Sequence, residues 1–295
     1  MRNVTVAAIQ MSIPETPEKS VEKAEKLVRK AAAEGANVIL LPELFENWYF
    51  CQERRYDSYK LALPLEENPA VRRFQTVAKE LSVVLPISFY EQDGNVLYNS
   101  VAMIDADGSV MGVYRKTHIP DDHFYQEKFY FTPGDTGFKV WDTRFGKIGV
   151  GICWDQWFPE AARCMALDGA ELLFYPTAIG PSRCLECDSM PHWQRCMQGH
   201  AAHLVPVIAA NRIGHRDSHP GQRESAAVLV ADVLRKRFIA DNTGALVECA
   251  DRTSDTILLH TFDLDELRDM RLSWGVFRDR RPEMYGRIAG ISGLK

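Results

Sequence analysis

The stretch VTVAAIQMSIPETPEKSVEKAEKLVRKAAAEGANVILL, residues 4–41, decides the fold class. Its two ends, 4–11 and 36–41, are apolar runs typical of buried strands. Between them, residues 17–34 carry apolar side chains at helical spacing and are closed by Gly35. A strand, a helix and a strand in this order favour a parallel strand pair with a right-handed crossover. The sequence therefore predicts an α/β protein.

The same alternation continues along the rest of the chain. We predict further helices over 69–81, 159–168 and 189–204, and further strands over 83–90, 100–104, 109–114, 138–143, 147–153, 172–176, 207–211, 226–231 and 238–240. No linker, repeat or low-complexity tract interrupts the pattern, so we expect residues 1–295 to form a single domain with two sheets flanked by helices. The tail 264–295 is rich in arginine and aromatic residues, and we expect it to be an arm that packs on a neighbouring subunit.

The composition excludes several classes of protein. The 295 residues are 46% hydrophobic and 25% charged, which is ordinary for a globular protein. The net charge of -5, with the charges interspersed, argues against nucleic acid as a partner and suits a small or mildly cationic ligand. We expect no membrane span, because no segment reaches the roughly 20 apolar residues that one needs. From the residues at the start of the sequence we expect no signal peptide either. Seven scattered cysteines favour a reducing compartment, so we expect a cytoplasmic location without membrane contact.

Three strands end in side chains that can take part in chemistry. The apolar run 147–152 ends in Cys153, and a thiolate attacks a carbonyl carbon well if a neighbour takes its proton. Glu43 and Lys116 also follow apolar runs, so all three could meet at one edge of a sheet. Glu43 could act as the base, and Lys116 could stabilise an oxyanion. Because Glu43 lies within an apolar stretch, we expect it to be buried with a partner.

The motifs around these residues resemble those of the nitrilase superfamily of carbon-nitrogen hydrolases. They are Leu41-Pro-Glu43-Leu-Phe, Tyr114-Arg-Lys116-Thr-His-Ile-Pro, Glu127-Lys-Phe-Tyr-Phe-Thr-Pro-Gly134-Asp and Gly151-Ile-Cys153-Trp-Asp. The resemblance covers nearly the whole chain and implies a four-layer α-β-β-α sandwich of the nitrilase type and a homo-oligomer. It implies Glu43 as base, Lys116 as the oxyanion cation, Cys153 as nucleophile and Glu127 as an additional glutamate. For Glu127, which polar residues flank, a surface position is the alternative.

Longer motifs resemble N-carbamoylputrescine amidohydrolases in particular. They are Phe45-Glu-Asn-Trp-Tyr-Phe-Cys-Gln52, residues 120–131, Asp155-Gln-Trp-Phe-Pro-Glu160 and residues 188–200. This resemblance implies hydrolysis of N-carbamoylputrescine to putrescine, ammonia and carbon dioxide in polyamine biosynthesis. It implies a carbamoyl-cysteine intermediate and neither a metal nor an organic cofactor. The backbone N–H of Trp154 could share the oxyanion, and an acidic pocket would suit the amine, with candidates Asp121, Asp122, Glu186 and Asp188; ordinary loop charge is the alternative for these four.

Two other functions stay open. The first is another hydrolase of the same superfamily, acting on an N-carbamoyl amino acid, an ω-amide or a nitrile; an unpaired Arg183 or Arg212 in the pocket would favour a substrate carboxylate. The second is a non-catalytic zinc-binding interaction module, which requires Cys153 to lie far from Glu43 and Lys116. Its candidate ligands are Cys184, Cys187, His192, Cys196, His200 and His203, although the two residues between the last two histidines are fewer than usual.

Some segments depart from the relatives or carry thiols outside the motifs. The loop around Cys184 and Cys187 and the cationic run 235–237 differ from what the resemblance implies, so they bear on substrate and assembly but not on the triad. We expect Cys51, Cys164 and Cys249 to be small buried side chains without a chemical role.

Overall fold

The computed structural model describes residues 1–180, 189–213, 238–251 and 253–291. Within these ranges the strands are β1 (Asn3–Ser12), β2 (Val38–Leu40), β3 (Leu85–Asp93), β4 (Val96–Ile104), β5 (Val110–Arg115), β6 (Val140–Thr143), β7 (Gly146–Val150), β8 (Leu172–Thr177), β9 (Val207–Ile213), β10 (Phe238–Ala240), β11 (Leu246–Cys249) and β12 (Thr256–Asp263). The α-helices are α1 (Pro17–Ala33), α2 (Pro69–Leu81), α3 (Pro159–Leu167), α4 (Met190–Ala201) and α5 (Leu264–Trp274). The strand predicted over 226–231 lies outside the described residues.

The strands of the described ranges form two layers of six. One layer has the order β11-β10-β9-β8-β7-β6. The other begins β12-β1-β2 and continues into β3-β4-β5, because the Ile39 N–H donates to the Val84 carbonyl over 3.0 Å. The layers are joined at one end, where Met11 of β1 pairs with Arg212 of β9.

Strand β1 shows why the chain forms four layers. Its successive side chains point to opposite faces, as they do in any strand. Val6 and Ala8 belong to the core between the two sheets, whereas Ala7 and Ile9 pack with the buried faces of α1 and α2. On the other sheet, α3 and α4 cover the outer face in the same way. The predicted α-β-β-α sandwich is confirmed. Because alternate residues of a strand point to opposite faces, each sheet contributes to the core between the sheets and to the core beneath its helices.

The chain leaves the core later than the sequence predicted. The arm was expected to begin at residue 264, but residues 264–274 form α5, and its Leu264 and Leu267 are buried in the core between the sheets. That part of the prediction is wrong, because two leucines three residues apart give α5 an apolar face. Beyond α5, residues 275–291 are mostly exposed. The assignment of the chain to one domain stays a prediction.

The cysteines outside the site are less uniform than expected. Cys51 is fully buried, as predicted, but Cys164 on α3 and Cys249 at the end of β11 are exposed. These two predictions are wrong, because both side chains lie on the solvent side of their elements. Within the described ranges, no helix has both the length and the apolar character needed to cross a membrane.

Candidate active site

The sheet edge near β2 and β5 brings together two carboxylates and one ammonium group. Glu43 follows β2, Lys116 follows β5, and Glu127 begins a short 3-10 turn; all three are fully buried. The Lys116 Nζ lies 2.9 Å from Glu43 Oε1 and 2.6 Å from Glu127 Oε2. The ammonium gives each carboxylate a partner of opposite charge, and any of the three groups would be costly to bury alone. The structure thus brings three of the predicted residues together, and the surface interpretation of Glu127 is wrong.

Glu43 has one oxygen held and the other available. Its Oε1 accepts from Lys116 and also from Asn99 Nδ2, over 2.7 Å. Its backbone N–H donates to the Thr177 carbonyl of the other sheet. The second oxygen, Oε2, is buried and accepts no hydrogen bond from the residues the structure describes. A carboxylate fixed through one oxygen and open at the other is well placed to take a proton.

Lys116 is held in place through its backbone. Its N–H donates to the Asn99 carbonyl, and its own carbonyl accepts from the Gly134 N–H, both over 2.8 Å. A Cβ at Gly134 would collide with the Arg115 carbonyl, so this close approach requires glycine. Burial alone would lower the pKa of Lys116, but the charges of Glu127 and Glu43 outweigh burial and raise that pKa well above its usual range. The two carboxylates therefore favour the charged form of Lys116.

Glu127 has a second partner, besides Lys116, that the sequence reasoning missed. The Tyr49 hydroxyl donates to Glu127 Oε1 over 2.5 Å. Burial raises the pKa of Glu127 to about 7, although Lys116 and the Tyr49 hydrogen bond both oppose that rise. Burial, together with the charge of Glu127, also raises the pKa of Tyr49 well above its usual range, so the phenol stays a hydrogen-bond donor.

Cys153 sits in a strained turn that directly follows the sheet. Two residues after the end of β7, the chain enters a 3-10 turn, Cys153–Trp157. Cys153 itself has φ of 42°. A positive φ at a residue with a side chain costs energy and is often found at functional sites. The thiol is buried, and burial raises its pKa well above the usual range; Glu43 adds to the rise, while Lys116 and a backbone hydrogen bond from Ala178 oppose it. Cys153 therefore needs a base in order to become a thiolate.

Arg212 holds the loop that carries Glu43. Its Nη2 donates to the carbonyls of Glu43 and Leu44 over 2.6 and 2.9 Å, and its Nη1 donates to the carbonyl of Asn47 over 3.1 Å. Leu44 has φ of 47°, so the guanidinium stabilises an unusual backbone turn next to the carboxylate. The sequence suggested Arg212 as a candidate for a substrate carboxylate, but in the structure its guanidinium is engaged with the protein backbone.

The structure describes some of the candidate residues for substrate binding and not others. Asp121 and Asp122 are exposed on a turn; Asp121 lies 3.9 Å from Arg54, and the backbone of Asp122 pairs with Tyr125. The Tyr125 ring contacts the ring of Tyr49, so this turn borders the site. The Trp154 side chain, next to Cys153, is 38% exposed. Asp188, Glu186 and Arg183 lie outside the described residues.

The zinc alternative is not favoured by the contacts of α4. His200 Nε2 lies 2.7 Å from the Gln156 carbonyl and 3.7 Å from Cys196 Sγ, and His192 packs against the Trp157 ring. The parts of the chain that the structure describes hold no group of three potential metal ligands. Cys184 and Cys187 fall outside those parts. The charges of Glu43 and Lys116 act on the Cys153 thiol, whereas the alternative required them to be far apart.

Comparisons with known proteins identify the family of the chain. The sequence profile of the carbon-nitrogen hydrolase family matches residues 5–272. The chain belongs to the carbon-nitrogen hydrolase family. An N-carbamoylputrescine amidase from Arabidopsis thaliana is 52% identical, over 99% of this chain and 97% of that protein. A citrullinase from Francisella tularensis subsp. tularensis is 51% identical, over 98% of this chain and 99% of that protein.

A solved structure of the same family has the same architecture. The crystal structure of a carbon-nitrogen hydrolase from Helicobacter pylori G27 superposes with a TM-score of 0.89. It is 34% identical and covers 98% of this chain and 99% of that chain. Membership of the nitrilase superfamily, the sandwich fold and the hydrolysis of amide-type carbon–nitrogen bonds thus follow for this carbon-nitrogen hydrolase.

Proposed function

We propose that this enzyme hydrolyses N-carbamoylputrescine to putrescine, ammonia and carbon dioxide, with Cys153 as nucleophile. The observation that carries the mechanism is the buried Glu43–Lys116–Glu127 cluster, in which Glu43 keeps one oxygen open. The identity of about one half to N-carbamoylputrescine amidases, over nearly the whole chain, supports the substrate. No step requires a metal or an organic cofactor.

The first half of the reaction forms a bond between sulfur and carbon. Glu43 takes the thiol proton of Cys153, and the thiolate attacks the ureido carbon of the substrate. The oxygen of that carbon becomes an oxyanion, which the Lys116 ammonium and backbone N–H groups stabilise, including that of Trp154. The intermediate then collapses: the bond to the terminal nitrogen breaks, Glu43 returns its proton to that nitrogen, and ammonia leaves. An N-alkylcarbamoyl thioester of Cys153 remains.

The second half returns the enzyme to its starting state. Glu43 takes a proton from water, and the resulting hydroxide attacks the thioester carbon. The carbon–sulfur bond breaks, and Glu43 gives its proton to the leaving Cys153 thiolate. The product is a carbamic acid, which decomposes to the free amine and carbon dioxide without help from the enzyme.

The charge of the site supports an amine as the remote group of the substrate. The buried cluster holds two carboxylates against the single ammonium of Lys116. Asp121 and Asp122 add acidic groups on the turn that borders Tyr49. These charges suit the cationic end of carbamoylputrescine, and we propose that Asp121, Asp122 and Asp188 bind there.

A second candidate substrate comes from the citrullinase relative. Citrulline has the same ureido group and an amine, and it differs from carbamoylputrescine by an α-carboxylate. A carboxylate needs a cation in the pocket, and the Arg212 guanidinium already donates to three backbone carbonyls. This arrangement favours the amine without a carboxylate.

The test is the release of ammonia from a panel of substrates. The panel contains carbamoylputrescine, citrulline, carbamoyl-β-alanine, glutaramate and a simple nitrile, each with the wild type and with Cys153→Ala. We expect carbamoylputrescine to have the highest kcat/KM and the variant to be inactive on every compound. Turnover by Cys153→Ala would overturn the nucleophile assignment. A higher kcat/KM for citrulline would overturn the substrate while leaving the mechanism intact.

We also propose a reducing, cytoplasmic setting and a homo-oligomer. The cysteines of the described ranges are all unpaired. The residues at and after the end of α5 expose several large apolar side chains, which a second copy could cover; they are Leu272, Trp274, Met284 and Ile288. Sedimentation of the purified enzyme would test the assembly, and a monomer at micromolar concentration would contradict it.

A further inference from the structure

One buried carboxylate beside the nucleophile has no part in the proposed reaction. Asp155 is fully buried, two residues after Cys153. Its Oδ2 accepts from the Ile152 N–H over 2.9 Å and from the Tyr114 hydroxyl over 2.7 Å. Its Oδ1 lies 2.9 Å from the His118 backbone nitrogen and 2.7 Å from His118 Nδ1. As a carboxylate only accepts hydrogen bonds, His118 Nδ1 must donate.

Three of these hydrogen bonds, those from Tyr114 and His118, connect the two sheets at the site, and the fourth, from Ile152, stays within the Cys153 segment. Tyr114 and His118 flank Lys116, at the exit of β5 in one layer. Ile152 and Asp155 flank Cys153, beyond the end of β7 in the other layer. The Asp155 carboxylate therefore holds the segment that carries the ammonium and the segment that carries the thiol through a single rigid group.

We infer that Asp155 and His118 are positioning residues that fix the Lys116 ammonium relative to the Cys153 sulfur. The inference rests on the proposed function, in which these two groups act on the same substrate carbon. A shift of about 1 Å between reacting groups can cost about a hundredfold in rate. The strained backbone of Cys153 also needs support, and the bond from the Ile152 N–H to Asp155 lies directly before it.

Besides a more distant stacking with Phe138, the His118 ring makes two close contacts that substitutions can separate. One is the hydrogen bond from Nδ1 to Asp155. The other is a stacking contact with the Phe158 ring, with centroids 3.6 Å apart and an interplanar angle of 5°. His118→Asn keeps a donor near the position of Nδ1 but loses the ring, whereas His118→Phe keeps a ring on Phe158 but loses the donor.

The experiment compares these two variants by turnover of carbamoylputrescine. We expect His118→Phe to lose about 10- to 100-fold in kcat with KM changed less than about twofold, as for a lost hydrogen bond to a charged group. We expect His118→Asn to recover most of that loss. The reverse order, with Phe active and Asn inactive, would show that stacking matters and would overturn the inference.

A second readout does not depend on the substrate. The rate at which iodoacetamide alkylates Cys153, followed by mass spectrometry of its peptide across pH 6–10, reports how Lys116 stabilises the thiolate. We expect His118→Phe and Asp155→Asn to shift this profile to higher pH, and His118→Asn to leave it near that of the wild type. A wild-type alkylation profile in both His118→Phe and Asp155→Asn would overturn the inference. This outcome is independent of the proposed substrate, because alkylation by iodoacetamide requires none.

A matched control separates positioning from general stability. Glu25 is another buried carboxylate, held by Arg29 and Arg73 between α1 and α2 on the outer side of the sandwich. We expect Glu25→Gln to lower the free energy of unfolding while leaving the alkylation profile of Cys153 unchanged. An equal shift in that profile would mean that any loss of stability moves it, which would overturn the inference.

Discussion

Glu46, a half-buried residue whose carboxyl Oε1 is enclosed, is expected to make stability depend on pH in a way that one substitution can isolate. Glu46 Oε2 accepts from Asn68 Nδ2 over 3.3 Å, and Oε1 is buried without a partner among the described residues. Burial raises the pKa of this carboxyl from 4.5 to about 7, and the Asn68 hydrogen bond only partly opposes the rise. In the unfolded chain the ordinary value applies. The folded protein therefore keeps the Glu46 proton over a range of pH in which the unfolded chain releases it.

The sign and the size of the effect follow from that difference. Below pH 4.5 both states hold the proton, and Glu46 adds no dependence on pH. Between 4.5 and about 7 only the folded state holds it, so stability falls as pH rises, and the full cost is present above pH 7. At about 1.4 kcal/mol for each pKa unit, the cost is about 3 kcal/mol.

Glu46→Gln removes the proton from this balance. The substitution changes stability by itself, because one amide N–H group replaces the unpartnered oxygen. This change does not vary with pH, because an amide does not titrate. The difference in unfolding free energy between the variant and the wild type should nevertheless grow in favour of the variant by about 3 kcal/mol between pH 4.5 and pH 8. Urea unfolding followed by circular dichroism measures it. A difference that stays constant with pH would refute the reasoning, and the exposed Glu22→Gln serves as the control that should stay constant.

Three further predictions concern separate contacts. Tyr49→Phe removes a hydrogen bond that lowers the pKa of Glu127, so the acid side of the kcat profile should move to higher pH; superimposable profiles would contradict this. Arg212→Met should lower the free energy of unfolding in urea by about 2 kcal/mol or more and abolish most of kcat. Arg212→Lys should recover part of both quantities. Wild-type stability and kcat in Arg212→Met would contradict the role of the guanidinium. Ser82→Gly should add about 0.5–1 kcal/mol of stability without changing kcat, because Ser82 ends α2 at φ of 53°; a less stable variant would contradict it.

Local patterns predicted most of the elements. Helix α2 begins and ends as expected, since Asn68 caps its first turn and Ser82 leaves the helix in a left-handed conformation. Glu43 and Lys116 could be singled out because each follows an apolar run, where a charge must be either solvated or paired. The sequence alone could not show which of the two applied to Glu127, whose neighbours are polar but whose side chain lies inside.

The partners of these residues were harder to predict because they come from distant segments. Asn99 reaches Glu43 from β4, and Tyr49 reaches Glu127 across 78 positions. A signal existed for Asn99, which with Ser100 forms a polar pair inside the largely apolar strand β4, where burial implies a partner. Arg212 carried the opposite signal, since an arginine at a strand end is equally suited to a ligand carboxylate or to backbone carbonyls. Only the fold determines which of them it meets.

The division of the site between two sheets has a consequence for how the enzyme fails. Glu43 and Lys116 belong to one layer and Cys153 to the other, with the apolar core of the sandwich between the layers. The atoms that react in the proposed mechanism therefore meet only while the two sheets are docked, even though each sheet keeps its own hydrogen bonds when they separate slightly. The turnover rate therefore depends on the spacing between the sheets. Substitutions that loosen the core far from the site should lower the turnover rate before secondary structure is lost.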